Sequence, residues 1–185
     1  VADFPKDVQR DFMVGLITLK YTQSNSVCLC ARGQTIGVAA GQQSRIDCTR
    51  LAIAKARTWL LRQHPQVQAL RFKPGVRRAD RDTTIACYVG RGLRGPDGDA
   101  LATLLQEWPD PIVAREERRW ISRFSSLSLC SDGFLPHRDN VDVAGGFGVR
   151  YIAQPGGSTF DKQVEAACAE HGITMLKTGF RLFHH

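Results

Sequence analysis

Apolar positions along the chain fall into short runs and helical stripes, and the switches between them mark the elements. The first dozen residues read as a connector leading to the apolar run Met13-Val14-Gly15-Leu16-Ile17. Residues 27–31 and 35–40 are short β-rich runs joined by Arg32-Gly33-Gln34, a pattern that predicts a hairpin. Cys48, Leu51, Ala52, Ala56, Trp59 and Leu60 then recur with the period of a helix, which Pro65 ends. Residues 85–89 form a further strand candidate, 90–98 a loop and 100–108 a helix. Pro109-Asp110-Pro111 breaks the chain before a charged helix over 113–124. A strand at 127–130, a polar stretch at 131–140 and a strand at 148–153 follow. Pro155-Gly156-Gly157-Ser158 turns into a helix with Phe160, Val164, Ala167 and Cys168 on one face, and residues 173–176 close with a strand. Strands alternating with helices predict an α/β protein with a layered sheet.

Composition narrows this picture. At 185 residues the default is one compact core, hence a single domain over residues 1–185 with residues 1–12 as its connector. An apolar fraction of 43% with 23% charged residues is globular rather than disordered. The net charge of +7 and a pI near 9.4 favour an anionic partner, whether nucleic acid, an acidic membrane or a phosphorylated or carboxylated ligand. No apolar run approaches the ~18 residues of a membrane helix, so a membrane partner is not expected. The start of the sequence lacks the basic flank and apolar stretch of a secretory signal. Cys28, Cys30, Cys48, Cys87, Cys130 and Cys168 lie mostly in apolar stretches, which suits reduced, buried thiols in a cytoplasmic protein better than disulfides.

Four stretches carry candidate chemistry. Residues 20–27 (KYTQSNSV) place six polar side chains in a row, able to hold a planar hydrogen-bonding ligand or simply to form a solvated loop. In residues 37–47, small residues lead to a helix start, where free N–H groups favour an anion, although Ser44 or Asp47 can equally be a plain cap. In residues 131–140, Asp132, Asp139 and Asn140 flank Phe134, which offers a face to a heterocycle; a helix start with an acidic first turn reads as well. The turn at 155–158 is the fourth. Arg181 can grip a phosphate through its fork or be merely solvated. Cys-x-x-Cys, the zinc-deaminase pattern and Gly-x-Ser-x-Gly are all missing from the sequence, so a catalytic zinc is not expected. Arg71, Lys73, Arg77, Arg78 and Arg81 cluster around Phe72, but without spaced aromatics they read as a solvated face rather than a nucleic-acid site.

Taken together, these stretches resemble the C-terminal part of the AICAR transformylase/IMP cyclohydrolase family of purine biosynthesis. The matching runs are LKYTQSNSV (19–27), GQQSRIDC (41–48), FKPGVRRAD (72–80), SDGFLPHRDNVD (131–142), YIAQPGGS (151–158) and RLFHH (181–185), in the family's order. The resemblance implies a cytidine-deaminase-like fold, a layered mixed β-sheet with flanking helices. It implies formyl transfer from 10-formyltetrahydrofolate, as cosubstrate, to the 5-amino group of AICAR, giving FAICAR at a dimer interface. On the family's pattern Asn25, Phe134 and Arg181 contact AICAR. Arg45, Ile46, Pro136, His137, Asp139, Asn140 and Ser158 contact the folate. The family can also carry structural potassium, for which Thr22, Ser24, Ser26, Asp132, the carbonyl of Leu182 and His184 stand at matching places.

Formyl transfer from such a weak amine needs a base, oxyanion donors and an acid for the folate nitrogen. Asn25 is the candidate donor, Asp139 the candidate orienting group and His137 the candidate base. The sequence also departs from the family. The Lys-His pair that moves protons in the family belongs to the other half and has no counterpart here; His137 replaces a usual Phe, and Ala39 a usual Gly. The expected partner is therefore a second copy or a complementary transformylase half. A stand-alone paralogue acting on a related amine, and a non-catalytic folate- or nucleotide-binding subunit, are the rival readings.

Overall fold

The computed structural model of the protein describes residues 4–183. The chain divides into two compact units: Arg57–Arg123 forms one, and the stretches on either side of it form the other.

The first unit is built on a five-stranded mixed sheet. Its elements are α1 (Lys6–Lys20), β1 (Val27–Ala31), β2 (Gln34–Ala39), most of α2 (Arg45–Leu61), β3 (Ser128–Ser131), α7 (Asp139–Phe147), β4 (Tyr151–Gln154), α8 (Asp161–Glu170) and β5 (Thr174–Lys177). The strand order is β2-β1-β3-β4-β5. β1 runs antiparallel to both β2 and β3, while β3, β4 and β5 are parallel. The expected hairpin is present. Ala31 pairs with Gln34, and Arg32 (φ 56°) and Gly33 (φ 80°) form the two-residue turn, a conformation in which glycine carries no Cβ penalty. β1 and β3 are buried throughout, as strands covered on both faces must be.

Residues 6–20, part of which was expected to be a connector, form α1. Phe4, Val8, Phe12 and Leu19 are buried and join Cys28, Cys30 and Cys130 in one core cluster. The periodicity is real but sparse, one apolar residue per turn among Lys6, Asp7, Gln9 and Arg10. Asp11 is fully buried on the same helix and accepts a hydrogen bond from the Gly33 N–H at 2.5 Å, tying α1 to the hairpin. Burial pushes the Asp11 carboxyl above its usual range. All six cysteines are free thiols, and five are buried.

The second unit packs α3 (Pro65–Gln68), α4 (Arg78–Arg91), α5 (Pro96–Ala102) and α6 (Ala114–Ile121) around Leu61, Val67, Tyr88, Val89, Leu93, Ala102 and Leu105. Residues 85–89, expected as a strand, lie inside α4. Thr84 and Tyr88 are buried one turn apart, and Gly92 ends the helix in the left-handed conformation. α5 begins inside the expected loop, because Pro96 suits a first helical turn, and it stops at Ala102 rather than near 108. Arg57 grips Glu117 with two 2.5 Å hydrogen bonds. The basic cluster is partly spent within the unit: Arg77 pairs with Asp80 at 2.8 Å, and the Arg81 guanidinium lies 5.4 Å from the centre of the Phe72 ring. No described helix is long and apolar enough to cross a membrane, and the described residues contain no cluster of three or more His, Cys, Asp or Glu suited to a metal.

Candidate functional site

The sheet register gathers the candidate stretches. Val27, the first residue of β1, pairs with Ala39 at the end of β2 and with Ser131 at the end of β3. The parallel register carries that line on through Gln154 and Lys177, the last residues of β4 and β5. The loops at 21–26, 40–44, 132–138, 155–160 and 178–183 therefore all leave the same end of the sheet. Carboxyl ends of strands in open α/β sheets are where ligands bind.

The 21–26 loop is laced to the segment after β2. Gly41 donates its N–H to the Gln23 carbonyl at 2.6 Å. Asn25 exchanges backbone hydrogen bonds with Gln42 and donates its side-chain amide to the Gln42 carbonyl at 2.8 Å. Its amide oxygen remains as an acceptor. The Ser24–Asn25 peptide is cis. The Cys48 thiol donates to the Asn25 carbonyl at 3.2 Å, and burial raises that thiol to about 11.

Behind this loop lies a charged centre. Arg45, the first residue of α2, donates to the Ser26 carbonyl at 3.1 Å and pairs with the Asp132 carboxylate. The side chains are 9% and 1% exposed, so the pair is buried. Asp132 Oδ2 and Ser26 Oγ are buried as well, and neither has a hydrogen-bond partner among the described residues. The Leu182 N–H donates to the Asp132 carbonyl at 3.0 Å, which docks the last described segment here. Gly133 permits this approach: a Cβ there would stand 2.7 Å from Arg45 Nη2 and 3.1 Å from the Phe183 ring. Thr22 turns its hydroxyl back to the Leu19 carbonyl, and Ser24 is half-buried. His184, the remaining residue of the expected potassium set, lies outside the described residues. Two orphaned, buried oxygen atoms, one of them from a carboxylate, are donors of the kind an alkali cation takes.

The Arg181 guanidinium sits 5.6 Å from the centre of the Phe134 ring and 5.9 Å from that of Phe183, so the two residues expected at one ligand do meet. Arg181 is exposed and Phe134 half-buried, which leaves the fork able to reach an anion.

The 136–140 segment divides by exposure. His137 is exposed and its ring lies 4.8 Å from Phe160, tilted by 56°. Pro136, Ile46 and Ser158 are half-buried. Asn140 is only 1% exposed and its side chain is fully engaged: it donates to Asp139 Oδ1 at 2.8 Å and accepts from Thr49 Oγ1 at 2.9 Å. Asn140 therefore holds the segment rather than facing solvent, while Asp139 keeps Oδ2 available. Ser158 Oγ accepts from the Phe160 N–H at 3.1 Å and shapes the start of α8. Ser44 takes the expected cap role at α2, accepting from the Asp47 N–H at 3.4 Å.

Two residues at this end have no local signature. Gln154 is fully buried, and its Oε1 accepts from the Leu135 N–H at 3.4 Å and the Gly156 N–H at 2.9 Å, joining two of the loops. The only sequence signal is an amide at the end of an apolar strand. Phe160, expected on the buried face of the last helix, precedes α8 and is 47% exposed beside His137.

Residues 3–55 match the model of the AICARFT/IMPCHase bienzyme family. Across more of the chain, it is 31% identical over 166 residues to the bifunctional purine biosynthesis protein PurH of Acidithiobacillus ferrooxidans, covering 90% of this chain and 20% of that relative. It is 30% identical over 176 residues to PurH of Magnetococcus marinus, covering 95% and 23%. With PurH of Xylella fastidiosa the identity is 30% over 182 residues, covering 98% and 23%. The chain thus spans about a fifth of the length of the curated relatives it matches.

Proposed function

Because the chain is a PurH-like region of the AICARFT/IMPCHase bienzyme family, we propose that its first unit is one half of a folate-dependent formyl-transfer site of purine biosynthesis. The convergence of Asn25, Phe134, Arg181 and the 136–140 segment at one end of the sheet carries this reading. In it the ribotide phosphate or carboxamide of AICAR meets Arg181, with Phe134 against the imidazole ring. The folate of 10-formyltetrahydrofolate lies along Ile46, Pro136, His137, Asp139 and Ser158.

The amine nitrogen of AICAR attacks the formyl carbon, a carbon–nitrogen bond forms, and the bond to folate N10 breaks. One proton leaves the amine and one reaches the folate nitrogen. Asn25 steadies the reacting groups through its amide, and Asp139 Oδ2 orients the acceptor. Burial is not required of His137, which stands at the solvent edge with an imidazole able to take a proton. The sequence holds no Lys-His pair, so we assign the principal base to a complementary transformylase half. Asp132, Ser26, Ser24 and the Leu182 carbonyl would hold potassium, which would supply a fixed positive charge.

The test measures binding and transfer separately. The purified chain is expected to bind AICAR and 10-formyltetrahydrofolate. Arg181→Ala should weaken AICAR by about 10- to 100-fold, the worth of a charged hydrogen bond, and leave folate binding nearly unchanged. Asn25→Ala should lower formyl transfer by about 100-fold, measured with a complementary half, with little change in binding. Equal losses of both ligands in Arg181→Ala overturn its assignment, and failure to bind either ligand overturns the reading. Turnover by the chain alone, lost in His137→Ala, would move the base onto His137.

A further inference from the structure

We propose that the second unit carries its own small-molecule pocket, shaped for a planar ring bearing a dianion, the chemistry of a nucleoside monophosphate. A cavity of about 290 Å3 is lined by His64, Gln66, Glu116, Arg119, Trp120 and Arg123. That volume suits one mononucleotide and not a strand of nucleic acid.

The aromatic wall is rigid. Trp120 donates its indole N–H to the Leu60 carbonyl at 2.8 Å, and the His64 ring meets it edge-on at 5.3 Å and 78°. His64 Nδ1 accepts from the Gln66 N–H, which leaves the proton on Nε2, and burial pushes this histidine below its usual range. At neutral pH it is therefore a neutral donor. The Gln66 Oε1 atom is buried with no hydrogen-bond partner among the described residues, an acceptor whose desolvation nothing yet offsets. A ring with an acceptor on its edge can take the hydrogen bond that the His64 Nε2–H offers.

The charges fit the other half of such a ligand. Arg57, Arg62, Arg77 and Arg91 of this unit each pair with a carboxylate. Arg119, in the last turn of α6, and Arg123, two residues past its end, are exposed and have no carboxylate partner among the described residues. The Arg123 guanidinium lies over the Trp120 ring, 5.2 Å from its centre, and so holds one positive charge against the aromatic wall of the cavity. Two guanidinium groups match a phosphate dianion. Glu116, which accepts from the Val113 N–H at 3.4 Å, sets a carboxylate on the same cavity and favours a ligand that also carries hydroxyl donors.

Calorimetric titration of the whole chain with AMP, adenosine and inorganic phosphate tests this. AMP should bind more tightly than either fragment. The double variant Arg119→Ala/Arg123→Ala should weaken AMP at least tenfold with an unchanged melting temperature, since both side chains are exposed. Arg181→Ala, at the site of the first unit, should retain this AMP binding event. Absence of AMP binding overturns the proposal. So does AMP binding that survives the double variant or is abolished by Arg181→Ala alone.

Discussion

Arg45→Ala removes the partner of a carboxylate that is 1% exposed, and this perturbation probes the centre of the site. Exposed ion pairs contribute at most about 1 kcal/mol, but Arg45 is itself only 9% exposed, so surface screening does not apply here. Breaking a buried pair from one side costs about 3–5 kcal/mol, because the remaining charge stays desolvated. Asp132 has little to fall back on: its Oδ2 is already without a partner among the described residues, and the neighbouring Ser26 carbonyl loses its donor in the same step. Against a whole-domain stability of about 5–15 kcal/mol this is a large fraction. Urea unfolding followed by circular dichroism should place Arg45→Ala about 3–5 kcal/mol below the parent. Arg45→Ala/Asp132→Asn should recover most of that, since the stranded charge is gone. If potassium is held at Asp132 and Ser26 as proposed, the loss in Arg45→Ala should also be smaller in potassium chloride than in choline chloride. A single variant within about 1 kcal/mol of the parent refutes the reasoning, as does a double variant no more stable than the single one.

Two further outcomes follow from titratable groups. The raised carboxyl of Asp11 means that the folded state holds this proton more firmly than the unfolded one, so Asp11 contributes a loss of stability as pH rises above the unfolded carboxyl value. Asp11→Asn keeps the acceptor for the Gly33 N–H and should raise the urea midpoint at pH 7; a fall there would sink this account. Asp142 behaves oppositely. Hydrogen bonds from Arg138 and His171 lower it to about 2, so its contribution is present above its unfolded value and fades as pH falls towards 2. Its side chain is 37% exposed, which holds the effect to about 1 kcal/mol or less. The difference in stability between the parent and Asp142→Asn should shrink between about pH 5 and pH 2, and a constant difference across that window would count against it.

What the sequence discloses here is local. The Arg32-Gly33 turn, the stripe of α2 and the turn at 155–158 depend on neighbours a few residues apart, and each was legible. The first half of α1 was not, because Val8 and Phe12, one buried residue per turn among charged ones, look polar in a short window. The apolar run at 85–89 is too short for periodicity to tell strand from helix, and only Thr84 and Gly92 on its flanks reveal α4. At the candidate site, the stretches around Asn25, Phe134 and Arg181 are each visible as local motifs, and the sheet register brings them to one end. No local pattern marks the pairing of Arg45 with Asp132, 87 residues apart, or Gln154 as the residue that ties two loops. Phe160 continues the helical period of α8 in sequence yet stays exposed, because the period extends past the helix start whereas burial does not.

The alignment of strand ends has a consequence for biosynthesis. Asn25 emerges from the ribosome long before Arg181, yet both belong to one end of the sheet. A nascent chain that has released only the hairpin and α2 exposes β1 along the edge that β3 will later cover, and it has no guanidinium over Phe134. If the proposed ligands bind at this end, they stabilise only chains that have progressed past β5. At a concentration 100 times its dissociation constant, a ligand stabilises such a chain by about 2.7 kcal/mol and leaves shorter ones open to proteolysis.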